Sequence, residues 1–261
     1  MSLHLYLSPH FDDAVLSCGG LIAQQTASGQ RVIVATLCAG APPIEHDLSP
    51  FAQSLHERWL THFPGQDLIA LRRQEDRAAC ARVGAEARHL DGLDCIYRRG
   101  PAGEWLYTSH EALFDVLHPG DDDPALTAQL HDLLAQVQPQ RVYAPLAVGN
   151  HVDHQWLRRL AETWAGAGRP LRFYEDYPYG ERVERLAQAL NQPVAWRWLR
   201  HPQPLTPAQA EAKIAAIACY GSQMTALFES AEAMPSRVQA HLSRRGAPGQ
   251  AEILWQPLIQ S

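Results

Sequence analysis

The chain of 261 residues is 46% hydrophobic and 19% charged, which supports a packed core and excludes a disordered tail protein or a fibre. Its 22 Lys and Arg against 28 Asp and Glu leave a formal charge of −6 with no basic block, so it has no cationic surplus to displace counterions from a nucleic acid, and none is expected as a partner. At about 150 residues per domain the length allows one or two; α/β folds of this size commonly close around one core, and a single domain over 1–261 is expected.

Residues 3–8 alternate and stop at Pro9, as a strand does, and 14–28 have the length and the Ala, Leu and Gln content of a helix that ends at Gly29. Residues 31–38 are β-branched and nearly all apolar, as expected of a strand buried on both faces of a parallel sheet. The chain thus opens with a strand-helix-strand unit. Prolines at 42, 43, 50 and 64 interrupt 41–65, which is too long for an ordinary connection and reads as a rim or lid. A helix over 68–83 ends at Gly84 and a short strand follows at 87–93. Order breaks down again over 98–124, a second rim segment containing Trp105, Tyr107 and the Asp121-Asp122-Asp123 run. A helix at 125–137 precedes an apolar strand at 141–148, and the Gly149-Asn150-His151 turn opens another helix to about 165. Strands at 171–177 and 194–200 and helices at 181–190 and 207–220 follow. Strands alternating with helices imply an α/β fold with a mostly parallel sheet and helices on both faces.

The five cysteines, Cys18, Cys38, Cys80, Cys95 and Cys219, are odd in number and form no C-x-x-C pair. They fit buried thiols in a reducing compartment, by default the cytoplasm. The first ten residues lack a basic n-region and no stretch approaches the ~18 apolar residues of a bilayer span, so neither a signal peptide nor a membrane span is expected.

Two turns carry the chemistry. Ser8-Pro9-His10-Phe11-Asp12-Asp13 places an imidazole and two carboxylates between the first strand and the first helix, and Asn150-His151-Val152-Asp153-His154 lies at the same kind of strand-to-helix switch. Open α/β sheets bind ligands at the carboxyl ends of their strands, so both clusters point to one sheet edge. His10 and Asp13 are three residues apart, as are His151 and His154, and each pair can share one side of a helical turn. His, Asp and His with a water make an open zinc site, at bond lengths of ~2.0–2.2 Å. Each cluster alone also has a plainer reading, with Asp12 or Asp13 as a helix N-cap and the histidines as solvated groups, but capping does not require histidines at both switches. Helix starts disfavour imidazolium, so these histidines are expected to stay neutral and able to ligate.

His10-Phe11-Asp12-Asp13 and His151-Val152-Asp153-His154 resemble the marks of the PIG-L/LmbE-like zinc-dependent N-deacetylases, an H-P-D-D segment after the first strand and a later H-x-D-H. The resemblance extends to Cys18-Gly19-Gly20, Arg72-Arg73-Gln74-Glu75, Glu175-Asp176-Tyr177-Pro178-Tyr179 and Tyr220-Gly221-Ser222-Gln223, and so covers most of the chain. It implies a Rossmann-like single domain, one zinc ion per chain, and removal of an acetyl group from an N-acetylglucosamine-type amino sugar or its conjugate. It also implies that His10, Asp13 and His154 hold the metal and that Asp12 is the general base toward a water whose pKa the ion lowers toward ~7. His151, oriented by Asp153, would protonate the departing amine, while Arg72 and Asp94 would contact substrate. Ser222 and Gln223 would support the site from beneath, Glu175, Asp176 and Tyr177 would line its rim, and Trp105 or Tyr107 would stack on a sugar ring. Three departures stand out: Phe11 replaces the usual proline, Ala14 a frequent Glu, and Gly149 a tyrosine that some members carry two residues before the first histidine of the second motif.

A metal-dependent phosphoesterase on a similar sheet is one alternative, and would favour more carboxylates and a second ion than these clusters supply. A non-catalytic sugar-binding protein is the other, and would have no use for Asp12 beside the ligands. No G-x-S-x-G elbow, phosphate loop or G-x-G-x-x-G fingerprint is present, and the other histidines show no ligand spacing among themselves. The expected partner is a small N-acylated amino sugar or conjugate whose aglycone the sequence leaves open, as it does a homo-oligomer.

Overall fold

The computed structural model describes residues 2–42, 48–166, 170–192 and 196–259, so that part of the 41–65 segment, 43–47 with His46, lies outside the described residues. In chain order the elements are β1 (Leu3–Ser8), α1 (Asp13–Ala27), β2 (Arg31–Thr36), α2 (Pro50–Trp59), α3 (Leu68–Arg82), β3 (Glu86–His89), α4 (His110–Leu113), α5 (Pro124–Val137) and β4 (Arg141–Pro145). They continue with α6 (Val152–Gly166), β5 (Leu171–Tyr174), α7 (Val183–Leu190), β6 (Trp196–Leu205), α8 (Pro207–Ile217), α9 (Met224–Leu227), α10 (Met234–Gly246) and β7 (Gln250–Ile259).

The strands form one sheet in the order β3-β2-β1-β4-β5-β7-β6. β1 to β5 are parallel throughout, while β7 runs antiparallel to both β5 and β6. The period of two along β1 explains why the chain needs helices on both sides. Tyr6 faces one layer with residues of α1, α3, α8 and α10, and Leu5 and Leu7 face the other with residues of α5, α6 and α7. This single α/β domain is the architecture expected from the alternating pattern. From β1 the sheet grows toward β2 in one direction and β4 in the other, so a crevice opens at the carboxyl ends of those central strands.

Several segments differ from their sequence reading. The strand expected at 171–177 ends at Tyr174, and the one expected at 194–200 continues to Leu205 as half of an antiparallel pair with β7. Neither β7 nor α10 was expected. The 41–65 segment contains α2, whose N-cap Ser49 accepts the Ala52 N–H at 3.1 Å and whose first turn holds Pro50, where a missing N–H costs nothing. A third small apolar cluster joins α2 and α4 through Ala52, Leu55, Ile96 and Leu113, and holds both against the mouth of the crevice.

The C-terminal strand also reaches the first helix. Buried Glu252 accepts the N–H groups of Gly20 at 3.0 Å and Leu21 at 2.7 Å and pairs with Lys213 Nζ at 2.7 Å, which itself donates to the Ser17 carbonyl at 3.3 Å. A Cβ on Gly19 would stand 3.1 Å from Lys213 Cγ, and one on Gly20 would stand 2.4 Å from Leu205 Cδ1 and 3.3 Å from Glu252 Oε1, so the two glycines leave room for Leu205 and this ion pair against α1. No helix among the described residues is long and apolar enough to cross a membrane, and all five cysteines are free.

Candidate metal centre and its pocket

The first cluster is shaped by the turn that leaves β1. Ser8 Oγ donates to the His10 carbonyl at 2.6 Å and accepts the Ala14 N–H at 3.0 Å, while Asp13 Oδ2 accepts the His10 N–H at 2.8 Å. Asp12 occupies the N-cap position of α1 without making a side-chain cap bond, so neither carboxylate is used up in capping and that reading does not hold.

The second cluster meets the first. Asp13 Oδ2 lies 3.2 Å from His10 Nδ1 and 3.3 Å from His154 Nε2. The rings of His10, His151 and His154 form a triangle with centroid separations of 4.9, 5.4 and 5.4 Å. Each expected histidine ligand is backed by a carboxylate on its other nitrogen. His10 Nε2 is 2.8 Å from Asp153 Oδ2, and His154 Nδ1 is 2.7 Å from Asp176 Oδ1. Donors bound at ~2.0–2.2 Å around a tetrahedral ion stand about 3.3–3.6 Å apart, so the two measured separations suit a shared cation, and histidines oriented by outer carboxylates are the usual support of such a centre. The set His10, Asp13 and His154 therefore fits one divalent ion, with the His151 nitrogen also within 4.8 Å of those of His10 and His154.

The electrostatics favour positive charge at this point. Burial works against protonation of His154, but Asp13 and Asp176 outweigh it and raise its pKa to about 10. His10, also buried, is held well above the usual histidine range by Asp13 and Asp153. The carboxylates around these two rings thus stabilise positive charge there, as a proton or as a bound cation. His151 behaves oppositely, because burial and the charge on His10 hold it well below the usual range. Burial and the neighbouring Asp13 raise Asp12 to about 6, against an opposing pull from Arg72, whose Nη2 is 3.8 Å from Asp12 Oδ1.

Asp153 was expected to orient His151, and the structure corrects this. Its Oδ2 lies 2.8 Å from His10 Nε2 but 3.9 Å from His151 Nδ1, and its Oδ1 is bonded to the Arg98 guanidinium. Residues two apart at a helix start do not face each other, so Asp153 turns across the crevice to His10. His151 Nδ1 instead accepts the Asp153 N–H at 3.3 Å, which leaves the proton of the neutral ring on Nε2.

His10, Asp12, Asp13 and His151 line a cavity of about 200 Å³, as do Arg72 and Asp94. Arg72 and Glu75 are both buried and do not form a surface pair. Glu75 accepts the Ser222 N–H at 2.7 Å and its hydroxyl at 2.6 Å, while the Arg72 guanidinium lies between the rings of Phe11 and Trp59, at 5.2 and 5.4 Å, with a buried Nε that has no partner. Asp94 accepts the Ile96 N–H at 3.2 Å in a short 3₁₀ turn, and its other oxygen is 3.7 Å from His10 Nε2. Tyr177 and Gln223 line the cavity. Glu175 does not: it is turned outward to Trp255 Nε1 at 2.9 Å and Arg245 at 2.6 Å. Asp176, expected at the rim, stands behind His154. The aromatic expectation is also corrected. Tyr107 is buried and donates to Asp121 at 2.7 Å, and Trp105 packs 3.5 Å beneath the Arg99 guanidinium, whereas Trp59 and Phe114 line the cavity. Gly149 has φ of +96°, and a Cβ there would stand 2.7 Å from Tyr179 Cγ, so the Tyr179 ring takes the space a side chain at 149 would enter.

A parallel sheet with a carboxylate-backed His, Asp and His cluster at its switch point, beside a cavity, belongs to the class of α/β proteins that bind their ligands at the carboxyl ends of the strands. Within that class the match is specific: residues 5–165 fit the model of the family described as PIG-L: GlcNAc-PI de-N-acetylase, and the chain belongs to that family. It is similar to a 2'-N-acetylparomamine deacetylase of Niallia circulans, with 27% identity over 96% of this chain and 89% of the relative. Among solved structures it resembles the zinc-inhibited form of teicoplanin deacetylase Orf2, at 32% identity and TM-score 0.83 over 100% of this chain and 99% of the other. It also resembles the A40926 pseudoaglycone deacetylase Dbv21, at 29% identity and TM-score 0.76 over 99% and 98% of the two chains.

Proposed function

We propose that this protein is a metal-dependent hydrolase that removes the acetyl group from an N-acetylglucosamine-type amino sugar or its conjugate, with one zinc ion held by His10, Asp13 and His154. The observation that carries this reading is Asp13 Oδ2 standing 3.2 and 3.3 Å from nitrogens of His10 and His154 while Asp12, a second acid, is buried beside them. Its relatives' activities, deacetylation of N-acetylparomamine and of teicoplanin, are consistent with it.

When bound, the ion would polarise the amide carbonyl and lower the pKa of the attacking water. The remaining steps belong to the chain. Asp12 takes the proton of the attacking water on its carboxylate, a transfer suited to a group whose pKa lies near 6. His151 presents Nε2–H to the carbonyl oxygen as negative charge develops there. With His151 Nε2–H engaged at the carbonyl oxygen, Asp12, in place of the His151 expected from the sequence, returns its proton to the nitrogen of the departing amine. Arg72 donates its unpartnered Nε–H to a substrate oxygen, and Asp94 accepts a hydrogen bond from a sugar hydroxyl. Asp153 and Asp176 hold the imidazoles of His10 and His154 in the orientation the ion needs. The free thiols, four of them buried, are consistent with operation in the cytoplasm.

The test is release of acetate and free amine from N-acetylglucosamine conjugates, measured before chelation, after chelation, and after zinc is restored. Turnover that survives removal of all bound metal would overturn the reading.

A further inference from the structure

The cavity changes character above its floor. Its carboxylates, Asp12, Asp13 and Asp94, all belong to the cluster around His10, whereas the wall toward the mouth is built from Leu55 and Trp59 of α2, Leu113 of α4 with Phe114 after it, and Leu227 of α9. Trp59, Phe114 and Leu227 are partly exposed there, and the charged side chain among them is Arg58, a cation. Three separate helices outside the sheet thus converge on an apolar collar, and such a surface next to a polar floor is the signature of a ligand with two unlike ends.

Given the deacetylase reading on which this rests, the amide must lie at the floor, and the group on the anomeric carbon, bonded to the carbon that bears the amide, is the substituent large enough to extend from there to the collar. We propose that this enzyme acts on amino sugars whose aglycone is flat and apolar, neutral or anionic, and that Trp59, Phe114 and Leu227 hold it. An amine-bearing cyclitol aglycone would meet Arg58 and apolar carbon, with no carboxylate among the described residues of the collar to pair with it.

The experiment compares kcat/KM of the zinc-loaded enzyme for methyl and phenyl N-acetylglucosaminides, both anomers of each, with 2'-N-acetylparomamine and with N-octanoylglucosamine. The phenyl glycoside is expected to exceed the methyl glycoside by about tenfold or more, mainly through KM, as aromatic contact and burial dictate. In Trp59→Ala and Leu227→Asn the phenyl-to-methyl ratio should fall toward one; because a ratio is read, a general loss of activity cancels. A phenyl-to-methyl ratio near one in the parent enzyme, a preference for 2'-N-acetylparomamine, or a larger gain from the octanoyl chain than from the phenyl group would each overturn the aglycone assignment while leaving a deacylase in place. Acetate release from none of the acetylated sugars would overturn the deacetylase reading and this inference with it.

Discussion

His154 Nδ1 lies 2.7 Å from Asp176 Oδ1, so a residue just past the end of β5 fixes the ring of a residue in the first turn of α6. The bond leaves Nε2 aimed at Asp13. Asp176→Ala should therefore keep the fold but weaken zinc binding by about 10–100-fold, as loss of an outer carboxylate does. Competition with a chromophoric chelator would measure this; unchanged affinity in a folded variant would mean the bond does not orient a ligand. Asp153→Ala should act similarly through His10, with an added cost from leaving the buried Arg98 with Asp121, at 3.3 Å, as its remaining carboxylate.

Asp12 tests the division of labour between holding the metal and moving a proton. Asp12→Asn conserves shape and removes the basic oxygen, so bound zinc per chain should remain as in the parent while kcat falls about 10²–10⁴-fold. Metal analysis and acetate release on the same preparation would decide it. Parental turnover would remove Asp12 from the chemistry.

At Gly149 the backbone and the neighbouring ring make the same demand. With φ at +96° and the Tyr179 ring 2.7 Å from where a Cβ would stand, Gly149→Ala should destabilise the protein by about 1–3 kcal/mol, read as a lower midpoint in thermal or urea unfolding. A midpoint equal to the parent's would show that the turn relaxes freely.

His241 gives a pH dependence away from the metal. Its ring packs 4.5 Å from that of Tyr177, and burial, reinforced by Lys213, Arg245, Arg244 and Arg237, lowers its pKa to about 3 from 6.5. The folded protein thus keeps His241 neutral where the unfolded chain takes up a proton. Its contribution to stability is complete above pH 6.5 and is lost progressively as the pH falls toward 3. His241→Gln should flatten this part of the acid limb, visible as a smaller difference between urea midpoints at pH 7 and pH 5; parallel curves for parent and variant would contradict the assignment.

The parallel half of the fold was legible because β1, β2 and β4 are apolar runs bounded by turns, and both turns that carry the histidine and aspartate clusters sit where such runs end. The role of Asp176 was not, since it depends on β5 stopping at Tyr174 and on where the next residues turn. The assignment of Asp153 to His151 failed for a reason present in the sequence: neighbours two apart on a helix diverge, and only the fold could reveal His10 as the partner across the crevice. Trp59 and Phe114 were overlooked in favour of Trp105 and Tyr107 because composition does not say which aromatic a short helix carries to the cavity. β7 escaped notice because a buried acid, Glu252, interrupts its apolar pattern.

That acid has a bearing on how the protein can be divided. Glu252 and Lys213 sit well downstream of residue 165, where the family match stops, yet they supply hydrogen bonds to the interior of the helix that begins with Asp13. A fragment ending after α6 would retain every proposed ligand and still lack both the brace behind His154 and the anion lodged against α1. The last third of the chain is therefore no appendage: the matched segment depends on it as a keystone arch depends on its far abutment.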